Sequence, residues 1–309
     1  MILTVTPNTA VDRVLFFRNF SWGHTFRADQ GLWAPGGKAT DVSWILGELG
    51  QPSVATGLAA GEPGRRLQGM LEGQGATVDF VWVDGDTRVN YVLIDTAQGV
   101  QSTITDSGLI VQPKHIAALE AKLEHYLPQA EVLVLGGRVP PGMPPDWYIP
   151  WIRRGRERGI PVLLDVSGET LARCAPAGPT MLKPNLDELA ELAGRELHGR
   201  PDALGAAREL LTWGVELVLA SLGAEGALAV TQDSAYYLPA IPVTPVNCAG
   251  AGDALTAGLT YGYAHHWPLE ESLRLAVAAA TAVVITPGTA ECHRPDIERF
   301  KPQVQLLEP

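Results

Sequence analysis

Short apolar, β-branched runs alternate with longer stretches of helical periodicity along most of the chain, and this alternation limits the folds open to it. Strand-like runs read 1–5 (MILTV), 78–83 (VDFVWV), 131–135 (EVLVL), 161–165 (PVLLD), 216–220 (ELVLA) and 226–230 (GALAV). Helical patterns fill 38–49, 114–127, 145–158 and 203–213, and in the first of them Val42, Ile45, Leu46 and Leu49 keep the i, i+3, i+4, i+7 spacing of a buried face. Strands that are apolar on both faces and separated by helices predict a mostly parallel sheet covered on both sides. With 309 residues and 46% hydrophobic content, the chain can bury a core of that kind.

Two segments break the alternation. Residues 11–34 and 87–105 read as meandering or hairpin strands, with DTAQG (95–99) as turn chemistry in the second. They are too short and too polar on one face for a core of their own, which predicts a small β lid on an α/β body. The tail after Phe300 reads as peripheral.

The net charge of −11, with acids spread along the chain, argues against nucleic acid as the main partner. Cys174, Cys248 and Cys292 give neither a disulfide framework nor metal-ligand spacing. Neither His265 nor His266 has ligand spacing. The start MILTVTPN lacks the basic and apolar blocks of a signal peptide, and the longest apolar stretch, 276–285, is far short of a membrane span. These features predict a soluble, cytoplasmic protein with no membrane partner.

In an open parallel sheet, ligands sit where strand ends turn into helices. Three such loops carry chemistry. In GAGDALTAG (250–258), Gly250 and Gly252 free the backbone while Asp253 opens a helix, whose N-terminal amides suit an anion. A carboxylate there can take a proton from a hydroxyl attacking a phosphoryl group; the plainer alternative is a helix cap. In KPNLDEL (183–189), Asn185 and Glu188 can face one loop mouth and help to hold a hydrated Mg2+ with phosphates, or simply form a capping box. In APGGKATD (34–41), two glycines precede a helix opened by Lys38; this is neither a Walker A loop nor a dinucleotide fingerprint. A G-x-S-x-G elbow is also absent.

The order of TPNTAVDR, GGK, KPNLDEL, SLGAEGA and GAGDALTAG resembles the PfkB, ribokinase-like, carbohydrate kinases from Leu3 to about Pro295. TRVNYVL and VPPG are most similar to the branch of 1-phosphofructokinase and tagatose-6-phosphate kinase. The resemblance implies one kinase domain over 1–309: a three-layer α/β/α body, a mostly parallel sheet, a β-sheet lid and a homodimer contact through that lid. It implies ATP as co-substrate, Mg2+, and a phosphorylated ketohexose as acceptor: fructose 1-phosphate first, then tagatose 6-phosphate or fructose 6-phosphate. A kinase of an unphosphorylated sugar or nucleoside and a non-catalytic sugar- or nucleotide-binding regulator are the other readings.

By the same resemblance, Asp253 is the base, and Gly250, Ala251 and Gly252 shape an anion hole. Asp12 holds sugar hydroxyls, and Gly36, Gly37 and Lys38 form the loop at the sugar. Arg88 and Asn90 reach the sugar and its phosphate. Lys183 and Asn185 match the nucleotide phosphate region, Ser221, Gly223 and Gly226 the loop beside the nucleotide, and Glu188 the acid that organises Mg2+ through water. Segment 280–289 matches the border of the adenine.

Four positions depart from the family: Ala39, Asp41, Arg138 and Cys248. Asp41 adds a carboxylate at the sugar. Two unit charges about 5 Å apart cost on the order of 3 kcal/mol at an effective dielectric near 20, so an anionic sugar there calls for a cation. Arg138 can supply it, either by pairing with Asp41 or by gripping the sugar phosphate in a fork. Arg27, in the lid segment, is a third cation to consider.

Overall fold

The computed structural model describes residues 1–309. Thirteen strands follow in chain order: β1 Ile2–Thr6, β2 Ala10–Phe17, β3 Gln30–Gly36, β4 Ser53–Ala59, β5 Thr77–Trp82, β6 Arg88–Asp95, β7 Val100–Ile104, β8 Val132–Gly136, β9 Val162–Asp165, β10 Met181–Leu182, β11 Leu217–Ser221, β12 Ala227–Val230 and β13 Ala235–Leu238. Ten helices run α1 Lys38–Glu48, α2 Gly61–Gly73, α3 Pro113–Tyr126, α4 Ile149–Glu157, α5 Gly168–Cys174, α6 Leu186–Ala193, α7 Gly199–Leu211, α8 Ala251–Ala264, α9 Leu269–Val284 and α10 Arg294–Phe300.

Nine strands form one sheet in the order β13-β12-β11-β10-β9-β8-β1-β4-β5. Its strands are parallel from β5 to β11, and β12 and β13 close one edge antiparallel. Alternate side chains enter opposite cores, as the strand period requires. Leu3, Val5, Leu133 and Leu135 join the helix layer holding Leu119, Leu123 and Trp151, while Ile2, Val132 and Val134 join the layer holding Ile45, Leu259 and Leu273. Three layers result, with α1, α8, α9 and α10 on one face.

The remaining four strands pair as β3-β2-β6-β7 and form the lid. It is a mixed sheet: β2 runs antiparallel to β3 and parallel to β6, and β6 and β7 make the hairpin turned by residues 96–99. Val14, Phe16, Val92 and Ile94 are buried on its inward face.

Two sequence expectations change. Strand β4 was not among the expected strands, yet it pairs with β1 and β5 on both sides. The tail is not peripheral: Val304 is buried in the core, and Leu307 exchanges backbone hydrogen bonds of 2.8 and 2.9 Å with Tyr237. The open edge at β13 supplies that pairing.

Candidate active site

The lid's inward face meets the body beside the starts of α1 and α8: β3 runs through Gly36 and Gly37 into α1, and Gln101 of β7 accepts the Cys248 N–H just before α8. Asp12 and Asn90 are register partners on β2 and β6, and Asn90 Nδ2 donates to Asp12 Oδ1 at 2.8 Å. Gly36 ends β3 against them; a Cβ there would run into the Asp12 carboxyl. Burial pushes Asp12 up to about 6, opposed by the Asn90 amide, the nearby Thr289 hydroxyl and the charge of Arg88. Gly37, with φ 99°, turns the chain into α1 and so brings Lys38 and Asp41 to the same floor.

Asp253 is the third residue of α8, and the cap before that helix is Gly250, in the left-handed region at φ 86°. The capping alternative for Asp253 therefore fails, since it makes no cap bond. Gly250 is required twice over, because a Cβ would also strike the Ala290 backbone. Asp253 is raised to about 7, by burial first and then by the charge of Asp165, with Lys38 and Lys183 pulling the other way. Asp41 is buried, with its carboxyl in hydrogen-bond contact with that of Asp253. Burial, followed by the charges of Asp253 and Asp12, raises it well above the usual carboxylate range.

Under these groups lies a residue that sequence reasoning missed. Asp165 ends β9, almost fully buried, and pairs with Lys38 and, at 3.1 Å, with Lys183. Thr256 Oγ1 donates to it at 3.3 Å. Its only sequence signal is an acid closing the apolar run VLLD at the loop end of a strand. Lys38 is also 4.0 Å from Glu188 Oε1. Burial works to lower Lys38, but Asp165, Glu188 and Asp253 outweigh it and hold the amine above its ordinary value.

On the other side, Asn185 Oδ1 accepts the Glu188 N–H at 2.8 Å and Glu188 Oε2 accepts the Asn185 N–H at 2.9 Å. The capping box exists, and it leaves Glu188 Oε1 toward Lys38 and the cleft. Asn185 bridges to Ser221 across β10 and β11. Gly223 and Gly226 carry the following turn into β12 at φ 60° and 104°. Just after the 280–289 segment, the Ala290 N–H donates to Ala249 O at 3.0 Å, so the end of that segment abuts the loop before Asp253.

Arg88 lies at one end of this cleft, with Arg138 among the charges that act on it. Burial lowers Arg88, Asp106 and Asp12 resist that, and Arg138 adds to the lowering. Arg138 does not pair with Asp41; its Nε donates to Ser167 Oγ at 3.2 Å. Asp41 instead feels the charges of three other carboxylates, Asp253, Asp12 and Asp165. Arg27 is exposed in the connection between β2 and β3.

Buried polar atoms without a hydrogen-bond partner gather here: Thr6 Oγ1, Asn8 Oδ1, Asp41 Oδ1, Arg88 Nε, Asn90 Oδ1 and Thr289 Oγ1. Buried polar groups are ordinarily satisfied. A cleft holding so many free donors and acceptors is complementary to a polyhydroxyl ligand. No three His, Cys, Asp or Glu side chains form a metal cage. A hydrated Mg2+ carried by phosphate oxygens needs none, and the free Glu188 oxygen fits an outer-sphere contact.

The pfkB family carbohydrate kinase model matches residues 10–297. The chain is 36% identical to the 1-phosphofructokinase of Haloferax volcanii over 299 residues, covering 96% of this chain and 94% of that one. It is 33% identical to ATP-dependent 6-phosphofructokinase isozyme 2 of Mycobacterium tuberculosis over 302 residues, 97% of this chain and 88% of the relative. Its fold matches phosphofructokinase-2 from Escherichia coli, solved with substrates and products, at a TM-score of 0.90 and 28% identity over 98% of both chains. With the sequence pattern, the three-layer body and the lidded cleft all in agreement, the chain belongs to the pfkB family of carbohydrate kinases.

Proposed function

We propose that the chain transfers the γ-phosphoryl group of ATP to a hydroxyl of a phosphorylated ketohexose, with fructose 1-phosphate the first candidate acceptor and tagatose 6-phosphate or fructose 6-phosphate next. One observation carries the choice of a phosphorylated acceptor. Arg88, part-buried with an unpartnered Nε, has Arg138 among the charges acting on it and lies beside a cleft whose Asp12, Asn90 and Asp41 suit hydroxyls. A sugar phosphate dianion would offset both positive charges and supply acceptors for both forks. Asp41 opposes an anion less than a surface carboxylate would, because burial, followed by the charges of Asp253 and Asp12, raises its affinity for a proton well above the usual carboxylate range.

In this reading the sugar hydroxyl oxygen attacks the γ-phosphorus, its proton passes to the Asp253 carboxylate, and ADP leaves. Asp12 and Asn90 orient the sugar. The amides of Gly250, Gly252 and Asp253, at the positive end of α8, face the transferring group, where preorganised donors contribute about 3 kcal/mol each, while the Ala251 N–H is held by the Cys248 carbonyl and shapes the turn. Lys183 and Asn185 meet the nucleotide phosphates, and Ser221, Gly223 and Gly226 border the nucleotide. Glu188 would hold Mg2+ through water, and the ion would neutralise phosphate charge. Phosphoryl transfer needs positioning and charge stabilisation above all, and these residues provide both.

We further propose a homodimer through the lid, acting in the cytoplasm. Trp33, Tyr91, Val100 and Ile104 are exposed on the lid's outward face, an apolar stripe that a second copy would cover. No helix is long and apolar enough to cross a membrane.

The test is ADP release with Mg2+ across fructose 1-phosphate, fructose 6-phosphate, tagatose 6-phosphate, fructose, ribose and a nucleoside. Turnover concentrated on a phosphosugar supports the reading. Turnover on uncharged compounds alone overturns it, and binding without turnover revives the non-catalytic alternative. Asp253→Asn is the control: it should cost about a thousandfold in kcat while ATP binding persists.

A further inference from the structure

The lid touches the body at the loop that leads into the phosphoryl-transfer helix. On β7, Gln101 is the register partner of Ile94, so both share the inward face with Val92 and Phe16. Ala249 packs against that apolar cluster. One residue earlier, the Cys248 backbone N–H donates to Gln101 Oε1 at 3.0 Å, joining segments 147 residues apart.

On its other side the same loop is tied to the body. Asn247, buried, donates from Nδ2 to Pro287 O at 2.9 Å and accepts the Ala249 N–H on Oδ1 at 2.9 Å. The Cys248 carbonyl accepts the Ala251 N–H at 3.3 Å, closing a turn on Gly250. Asn247 thus anchors the loop from the body, and Gln101 reaches it from the lid. Cys248 itself is exposed, so its amide would be open to water if the glutamine withdrew.

We propose that Gln101 is a positioning residue that couples lid closure to phosphoryl transfer: by accepting the Cys248 N–H, it fixes the turn from Cys248 to Ala251 and so the direction of the amides at the start of α8. An open lid leaves that turn held from one side only, and the anion-binding amides less well aimed. Transfer is then favoured only when the lid covers a seated sugar, which limits the loss of phosphoryl groups to water. The proposal rests on the kinase reading above.

The test separates the bond from its consequence. Gln101→Leu removes the acceptor from a partly exposed strand position, and Gln101→Glu keeps one. Hydrogen exchange at the Cys248 amide reads the latch directly, without any turnover. Exchange should be faster in Q101L than in the wild type and remain slow in Q101E. With the sugar that the panel identifies, Q101L should lower kcat about fivefold, the worth of one neutral hydrogen bond, with KM for ATP unchanged. Q101E should restore most of kcat. Equal exchange in wild type and Q101L overturns the proposal, as does faster exchange with unaltered kcat, or a kcat loss that Q101E does not rescue. A wild type silent on every sugar counts against the kinase reading; the exchange comparison then decides the latch on its own.

Discussion

Lys183 Nζ lies 3.1 Å from Asp165 Oδ2, and Lys38 holds the other oxygen of the same buried carboxylate. Burial alone would raise Asp165, yet the two lysines outweigh it and hold the acid below its ordinary value. The acid in turn fixes both amines beside Asp253, where the phosphates of a nucleotide would arrive. Asp165→Asn leaves the amines around a neutral amide. Breaking a buried ion group from one side costs on the order of 3 kcal/mol. Thermal unfolding near neutral pH should show that loss, and saturating ATP with Mg2+ should recover part of it, because bound phosphate stands in for the missing charge. An unchanged Tm would mean that the lysines find other partners.

As the proposed base, Asp253 should set a pH limit on turnover. Its value of about 7 is produced by burial and the charge of Asp165. A base must be ionised, so kcat/KM should fall about tenfold per pH unit below that point. Removing the positive charge of Lys38 with Lys38→Met should move this acid limb to higher pH, since Lys38 helps to ionise Asp253. A pH–rate profile of each enzyme checks both statements, and a limb that stays in place would remove Lys38 from the account.

Asp41 gives a complementary prediction. Burial and the charge of Asp253 raise the proton affinity of Asp41, whose protonated carboxyl donates a hydrogen bond to the Asp253 carboxylate, and an asparagine amide can do the same. Asp41→Asn should therefore keep kcat within about fivefold near neutral pH, whereas Asp41→Ala, which leaves Asp253 without that donor, should lose more. If Asp41→Asn is the worse of the two in kcat, Asp41 is charged and the assignment of its proton is wrong.

Periodicity made the body legible, because a strand buried on both faces must be apolar throughout; β1, β8, β9, β11 and β12 all fall where such runs are read. It did not reveal β4, whose sequence SVATGLA is small and mixed and becomes a strand through pairing on both sides. The motif loops showed Asp253, Lys183 and Glu188, since each lies beside a glycine or a helix start. Asp165 carried no such mark. What distinguishes it is two lysines from other segments, and no local pattern records that meeting. For Asn185 and Glu188 the cap reading holds, and it does not use up the acid: one carboxyl oxygen closes the cap and the other lies 4.0 Å from Lys38.

Asp12 links stability to pH in the direction opposite to a surface carboxylate. Its folded value, raised to about 6 chiefly by burial, exceeds the ordinary 3.8. The folded protein therefore binds the proton more tightly than the unfolded chain. The resulting stability is full below about pH 4 and is lost as pH rises through 6. The shift corresponds to about 3 kcal/mol. Asp12→Asn should remove this dependence and raise Tm at alkaline pH relative to the wild type. The same change should weaken sugar binding, because a carboxylate that accepts from hydroxyls is replaced by an amide. A Tm gain without a rise in the sugar KM would separate Asp12 from the sugar.

Arg88 and Arg138 are the proposed readers of the sugar's phosphate. Arg88 is part-buried, its Nε has no partner, and its two terminal nitrogens reach backbone carbonyls only at 3.4 Å. These long contacts leave the guanidinium available. A charge-assisted hydrogen bond to phosphate is worth about 1.5–3 kcal/mol, so Arg88→Ala or Arg138→Ala should raise KM for the phosphosugar roughly tenfold to a hundredfold. KM for ATP should hardly move. Arg88→Lys keeps a charge but loses the fork, and should fall between the wild type and alanine. The decisive comparison is with the same sugar lacking its phosphate: each arginine variant should lose preference for the phosphorylated form. Equal losses on both sugars would mean that the arginines shape the lid and leave the phosphate to other groups.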